Sequence, residues 1–173
     1  MDEVMISEED RRRLGAWAAD CAARALALFE ERAPGDTRPR EALDGIRAYA
    51  RAELRIGPLR PLALAALAAA REVGDPAATA AARAAGYAAA APYIHPLATP
   101  HQAKHALGPA MQAARAAELV AGGDTRVGDA EIRRAIATAG PAVRGIVRQM
   151  PVFSPGRSRL DALRHQLDTA LRH

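Results

Sequence analysis

Three histidines have the spacing that a metal site needs. His101 and His105 are four residues apart in a segment that favours a helix, so both imidazoles are expected on one helix face. His95 precedes them in a stretch that could fold over the start of that helix. Lys104 lies in the same first turns, where helix N–H groups attract anions. A structural role, in which these histidines cap helices or pack where two helices cross, is favoured. A His95/His101/His105 metal site is kept as an alternative.

A carboxylate falls on an otherwise apolar helical stripe. Ala42, Ile46, Tyr49 and Glu53 recur at spacings of three and four residues, which is the period of one helix face. A charge on an inner face is stable only when it is paired. We therefore expect Glu53 to be buried against an arginine, with Arg38 at the start of the same helix as a candidate. A structural ion pair is favoured over a catalytic acid, which would need a second titratable group nearby.

The last fifty residues carry more arginines than carboxylates. Arg144 and Arg148 are one helical turn apart, a spacing that would suit contact with phosphates. Aromatic side chains that stack on bases are absent from this region apart from Phe153. A solvated helical surface is therefore favoured, and nucleic-acid binding through these arginines is kept as a second alternative.

Several catalytic chemistries have no motif in this chain. The glycines form neither a dinucleotide-binding fingerprint nor a phosphate-binding loop, and no serine lies in a nucleophile elbow. The single cysteine, Cys21, excludes an intrachain disulfide and a zinc site made of thiolates. Because Cys21 lies within an apolar stripe, we interpret it as a small buried hydrophobe. We expect no enzymatic activity and no cofactor.

The composition indicates which elements position these residues. The chain has 173 residues and a formal net charge of +4; half of its residues are hydrophobic, but only 3% are aromatic. Alanine supplies much of the hydrophobic fraction. Because alanine is the strongest helix former and is depleted in strands, an all-α fold is predicted. The pattern gives about eight helices with short connections, largely antiparallel helical hairpins. No linker divides the chain, and residues 1–173 are expected to form a single-domain bundle.

Caps and breakers predict the helix boundaries. Residues 7–33 read as one continuous helix, Asp75 as the cap of another, and Asp129 and Ser158 as the caps of two later ones. Pro109 is expected to bend or split its helix. The segment 61–73 is apolar nearly all round and is predicted to be a central, surrounded helix.

No segment predicts a membrane span or an export signal. The most apolar run, residues 62–70, is far shorter than the ~20 residues that cross a bilayer. The N-terminal sequence is acidic and lacks an apolar core. We expect a soluble, cytoplasmic protein.

Two segments resemble the signature of a known family. Residues 36–42 (DTRPREA) and 47–53 (RAYARAE) are similar to the D-x-R-P-R-x-A and R-x-[WY]-A-R-x-E motifs of putative immunity proteins, small helical proteins of bacterial polymorphic toxin systems. Residues 93–97, 105–108 and 113–118 also resemble actinobacterial members. The resemblance marks five signature residues: Asp36, Arg38, Pro39, Arg47 and Glu53.

The resemblance implies an all-α fold and a function through binding a cognate toxin, with no catalytic residues. The leading interpretation is therefore a non-enzymatic protein-binding domain that resembles a toxin-neutralising immunity protein. Self-association is left open. Neither a membrane nor, in this interpretation, a nucleic acid is expected as a partner.

Overall fold

The computed structural model describes residues 6–94, 100–152 and 154–173, with side chains described from residue 105 onward in the second range. Within these ranges all regular secondary structure is helical, so the all-α prediction is confirmed. The described residues form nine α-helices and a short 3-10 helix, Ala91–Tyr93. The α-helices are α1 (Glu8–Ala23), α2 (Leu26–Arg32), α3 (Arg38–Ala50), α4 (Leu59–Glu72), α5 (Pro76–Ala90), α6 (Pro100–Val120), α7 (Thr125–Thr138), α8 (Pro141–Gln149) and α9 (Arg159–Arg172).

Helix α5 is the surrounded helix of the bundle, and it packs against α1, α2, α3, α4 and α6. Ten of its residues are buried, nearly all of them alanine. Small side chains allow the neighbouring helices to approach closely: a Cβ added at Gly86 would lie 2.8 Å from Leu67 Cγ and 3.2 Å from the Ala63 carbonyl oxygen. The prediction that residues 61–73 form the central helix is wrong, because Leu64 of α4 is 58% exposed.

The first predicted helix is interrupted. Ser7 caps α1 by accepting a hydrogen bond from the Asp10 N–H at 3.0 Å, as its sequence indicates. Helix α1 ends at Ala23 and α2 begins at Leu26, although no proline or glycine marks the break. The break allows α2 to pack against α5.

Helices α6 and α7 correct two boundary predictions. Pro109 lies inside a continuous α6, so the expected split does not occur. The cap of α7 is Asp124, whose side chain accepts from the Arg126 N–H at 3.0 Å, and Asp129 lies one turn further into the helix. The prediction that Asp129 caps this helix is therefore wrong, because the helix starts one turn earlier, at Asp124.

The C-terminal hairpin follows its sequence pattern. Ser158 and Asp161 form a capping box at the start of α9. Leu163, Leu167 and Leu171 are buried on the side that packs against α6, α7 and α8. In the described part of the chain, no helix is both long and apolar enough to cross a bilayer.

Candidate functional site

Glu53 is exposed, so the prediction that it is a buried ion-pair member is wrong. Helix α3 ends at Ala50, and Ala52 has a φ of 60°, the left-handed conformation that often closes a helix. The Glu53 N–H donates to the Ala48 carbonyl at 2.9 Å and turns the chain away from the inner face. The Glu53 side chain is 58% exposed and pairs with Arg51 at 2.9 Å.

We expect Glu53→Ala and Arg51→Ala to leave the thermal unfolding midpoint unchanged within measurement scatter. Both side chains are in water, where an ion pair contributes little. Thermal denaturation followed by circular dichroism checks this. A loss of several degrees for Glu53→Ala alone would show that this carboxylate is buried and that the end of α3 is misplaced.

The signature residues Asp36 and Arg38 connect the start of α3 to the end of α4. The Arg38 backbone N–H and guanidinium donate to Asp36 at 3.2, 2.9 and 2.7 Å. The same guanidinium contacts Glu72 of α4 at 2.5 Å. The bound guanidinium lowers the pKa of both carboxyls. Pro39 is buried in the first turn of α3.

Two further arginines of the same region reach other helices. Arg40 makes a bidentate pair with Glu30 of α2, at 2.6 and 2.7 Å. The signature residue Arg47 lies 3.8 Å from Asp20 of α1, and both side chains are largely exposed. The arginines of α3 are thus directed to carboxylates of α1, α2 and α4. A role of the signature residues in binding a partner stays a prediction.

Glu118 of α6 is a fully buried carboxylate that the sequence analysis did not single out. Arg159 of α9 donates to it through Nε, at 3.1 and 3.0 Å, and through Nη2, at 2.8 Å. Arg115 donates to it at 2.6 Å. Arg159 also donates to Asp129 of α7 at 2.7 Å. The hydrogen bond to Glu118 and the contact with Asp129 raise the pKa of Arg159. Because Arg159 belongs to α9, its guanidinium connects three helices: α6, α7 and α9.

Gly128 provides the space for this cluster. A Cβ added at this position would overlap Glu118 Oε2 and lie 3.2 Å from Arg159 Nη2. The sequence signal that identifies Glu118 is its position on a helical stripe, four residues after Ala114 and eleven after Leu107, both of which are buried.

Acid is expected to weaken the attachment of α9. Hydrogen bonds from Arg159, and then from Gln166, lower the pKa of Asp129 in the folded protein. Its contribution to stability is therefore complete above the ordinary carboxyl pKa, about 4, and is lost as the pH falls through the lowered folded value. Urea denaturation across a pH series checks this: the free energy of unfolding should fall below about pH 4, and Asp129→Asn should make that fall shallower. Equal acid sensitivity of Asp129→Asn and the wild type would contradict the expectation.

The side chains of Arg144 and Arg148, both of α8, contact the C-terminal ends of neighbouring helices. Arg144 donates to the carbonyls of Ile136 at 3.2 Å and of Ala170 at 3.1 Å, near the ends of α7 and α9. Arg148 donates to the Arg172 carbonyl at 3.1 Å. Helix C-termini favour cations, so these contacts account for the one-turn spacing. A role in binding a ligand stays a prediction.

The predicted histidine site falls mostly outside the described residues. His95 and the side chains of His101 and Lys104 lie outside the described residues. His105 is described and is half-buried in α6. Among the described side chains, no three or more histidines, cysteines or carboxylates form a group that could hold a metal ion. The metal and anion hypotheses for these residues stay predictions.

A small depression of about 220 Å³ lies between α1, α6 and α7. Its lining includes Cys21, Ala135 and the bidentate pair of Arg24 and Glu131, at 2.7 and 2.8 Å. Burial raises the pKa of the Cys21 thiol to about 12. The thiol is therefore protonated and packs as a hydrophobe, as its sequence position indicates.

A wider groove of about 580 Å³ lies between α4, α5 and α6 and reaches Leu160 of α9. Three arginines line it: Arg71 of α4, Arg83 of α5 and Arg115 of α6. The lining contains no carboxylate among the described residues. We call this depression the arginine groove.

Residues 5–141 match the model of a family described as Imm-5 like putative immunity protein. The matched region contains α1 to α7, with the signature segments and the buried Glu118. It ends before α9, which supplies Arg159. Neither a curated protein nor a solved structure matches the chain.

Proposed function

The chain belongs to the Imm-5 like putative immunity protein family, and we propose that it is an immunity protein that binds and neutralises a bacterial protein toxin. The observation that carries the proposal is the family match, which extends over most of the chain. The protein acts by occupying a surface of the toxin and performs no catalysis itself. The proposal places it in the cytoplasm, where it meets its toxin.

The structural roles of three C-terminal arginines count against nucleic-acid binding through these side chains. Arg144 and Arg148 donate to helix carbonyls, and Arg159 is held by Glu118 and Asp129. Contact with phosphates would compete with these internal hydrogen bonds. A protein partner is therefore favoured over a nucleic acid.

The experiment that tests this function starts with a search for a toxin gene beside the gene for this chain, and the absence of such a gene would count against the proposal. The toxin domain, inactivated by substitution of its catalytic residue, is titrated with the purified protein in a calorimeter. A one-to-one complex with a Kd in the nanomolar range, about 10⁻⁷ to 10⁻¹⁰ M, is expected. An unrelated toxin domain serves as the control. No complex at micromolar concentrations, or equal binding of the control, would contradict the proposal.

A further inference from the structure

Two of the three arginines of the arginine groove, Arg71 and Arg83, form no hydrogen bond or ion pair with a described residue. We propose that the groove receives an acidic segment of the protein partner, rich in aspartate and glutamate. This inference rests on the proposed function for the class of partner, and it adds where that partner binds and which chemistry it presents.

The three arginines of the groove differ in how they are paired. Arg71 and Arg83 are exposed, and neither forms a hydrogen bond or an ion pair with a described residue. Arg115 is held in place by the buried Glu118, to which it donates a hydrogen bond at 2.6 Å. The Arg115 side chain is 31% exposed. Two guanidiniums that have no partner among the described residues and one fixed guanidinium therefore line the same depression.

The carboxylates nearest in sequence are engaged elsewhere. Glu72 follows Arg71 but contacts Arg38 at 2.5 Å. Asp75 caps α5 by accepting from the Ala78 N–H at 2.9 Å. Glu72 is attracted by the charge of Arg71, but its direct contact is with Arg38, so neither carboxylate makes a direct contact with the groove arginines.

The walls of the groove are preformed and suit a peptide. The Thr79 hydroxyl of α5 donates to the Ala70 carbonyl of α4 at 3.1 Å and joins two of the walls. The remaining lining is mostly small or aliphatic, with Leu119 and Leu160 beside the amide of Gln112, which is buried. No described lining residue is aromatic, so the groove offers no platform on which bases would stack. These walls favour an acidic peptide segment over a single-stranded nucleic acid.

Charge complementarity decides what kind of toxin surface fits. A partner that presents carboxylates to Arg71 and Arg83 gains attraction, whereas a basic nucleic-acid-binding cleft would place like charges opposite each other. The surface bound here is therefore an acidic face of the toxin, separate from any basic cleft it contains.

The first test titrates the labelled protein with a short glutamate-rich peptide and follows its backbone amide resonances by NMR. The groove variant is Arg71→Glu with Arg83→Glu. The matched control is Arg55→Glu with Arg60→Glu, which makes the same charge change at two exposed arginines outside the groove. The peptide should shift the resonances of Thr79 and Gln112 in the wild type and the control, and not in the groove variant. Shifts confined to other surfaces, or equal groove binding of a thymidine oligonucleotide of the same charge, would overturn the proposal.

The second test repeats the toxin titration with the same variants. Like charges that face each other at an interface repel, so the groove variant should bind about 100-fold more weakly, and the control within a few-fold of the wild type. A milder pair, Arg71→Gln with Arg83→Gln, should weaken binding less, and unchanged thermal midpoints show that all variants are folded. Toxin binding that is equal in every variant would overturn the groove and leave the proposed function standing. If the wild type does not bind the toxin while the peptide still enters the groove, the proposed function fails and the acidic-segment site remains.

Discussion

Arg159→Met should lower the free energy of unfolding by about 3 kcal/mol, because it leaves a buried carboxylate with one remaining cation. Glu118 is fully buried and receives three of its hydrogen-bond contacts from Arg159. Arg115 would still donate to it, but from a side chain that is partly in solvent. Methionine keeps most of the apolar stem of the arginine, so the loss reports on the charge. Urea denaturation measures the difference.

A double-mutant cycle separates the ion pair from its packing. Glu118→Met combined with Arg159→Met removes both charges, and the double variant should be more stable than Arg159→Met alone. Arg126→Met is the matched control, since Arg126 pairs with Asp124 in solvent and its removal should not shift the urea midpoint. A double variant that loses the sum of the two single losses would show that Glu118 and Arg159 do not interact.

Tyr49→Ala is expected to cost about 3–5 kcal/mol, the range for removing a buried aromatic ring. The ring is fully buried between α1 and α3, with the Arg12 guanidinium carbon 5.3 Å from its centre. Its hydroxyl donates to Glu8 at 3.0 Å, and burial, followed by this carboxylate, raises the pKa of Tyr49 to about 12. Few other aromatic residues are present to fill such a cavity.

Two variants show whether the ring or the hydroxyl carries this effect. Tyr49→Phe keeps the ring and should cost only about 1 kcal/mol, the net value of one hydrogen bond. Leu64→Ala removes a large side chain from an exposed position and should change stability little. A Tyr49→Ala loss no greater than that of Tyr49→Phe would contradict the buried position of the ring.

The prediction that Glu53 is a buried, paired carboxylate is wrong, whereas Glu118, which the sequence analysis did not single out, is buried and paired. Glu53 and Glu118 both extend an apolar helical stripe, so periodicity alone treats them alike. Helix α3 ends before Glu53 through the left-handed Ala52, which no glycine or proline marks in the sequence. Glu118 is still within α6, and one of its two cations, Arg159, lies 41 residues later in the chain. Long-range pairing of this kind is decided by packing, which a single sequence does not show.

The boundaries that could be predicted are those fixed by local chemistry. The Ser158 cap of α9 and the Asp75 cap before Pro76 form as expected, because each cap hydrogen bond is made within a few residues. The break between α1 and α2 and the continuity of α6 through Pro109 depend on neighbouring helices. The arginine groove likewise arises only when α4, α5 and α6 meet.

The most direct test of the proposed function is protection of growing cells. Bacteria that express the active form of the toxin domain used in the titration are compared with and without the chain, and with the groove and control charge-reversal variants. We expect the wild type and the control variant to restore growth, and the groove variant to restore it less. Failure of the wild type to protect, in cells that contain it as a folded protein, would contradict the proposal that this chain is an immunity protein.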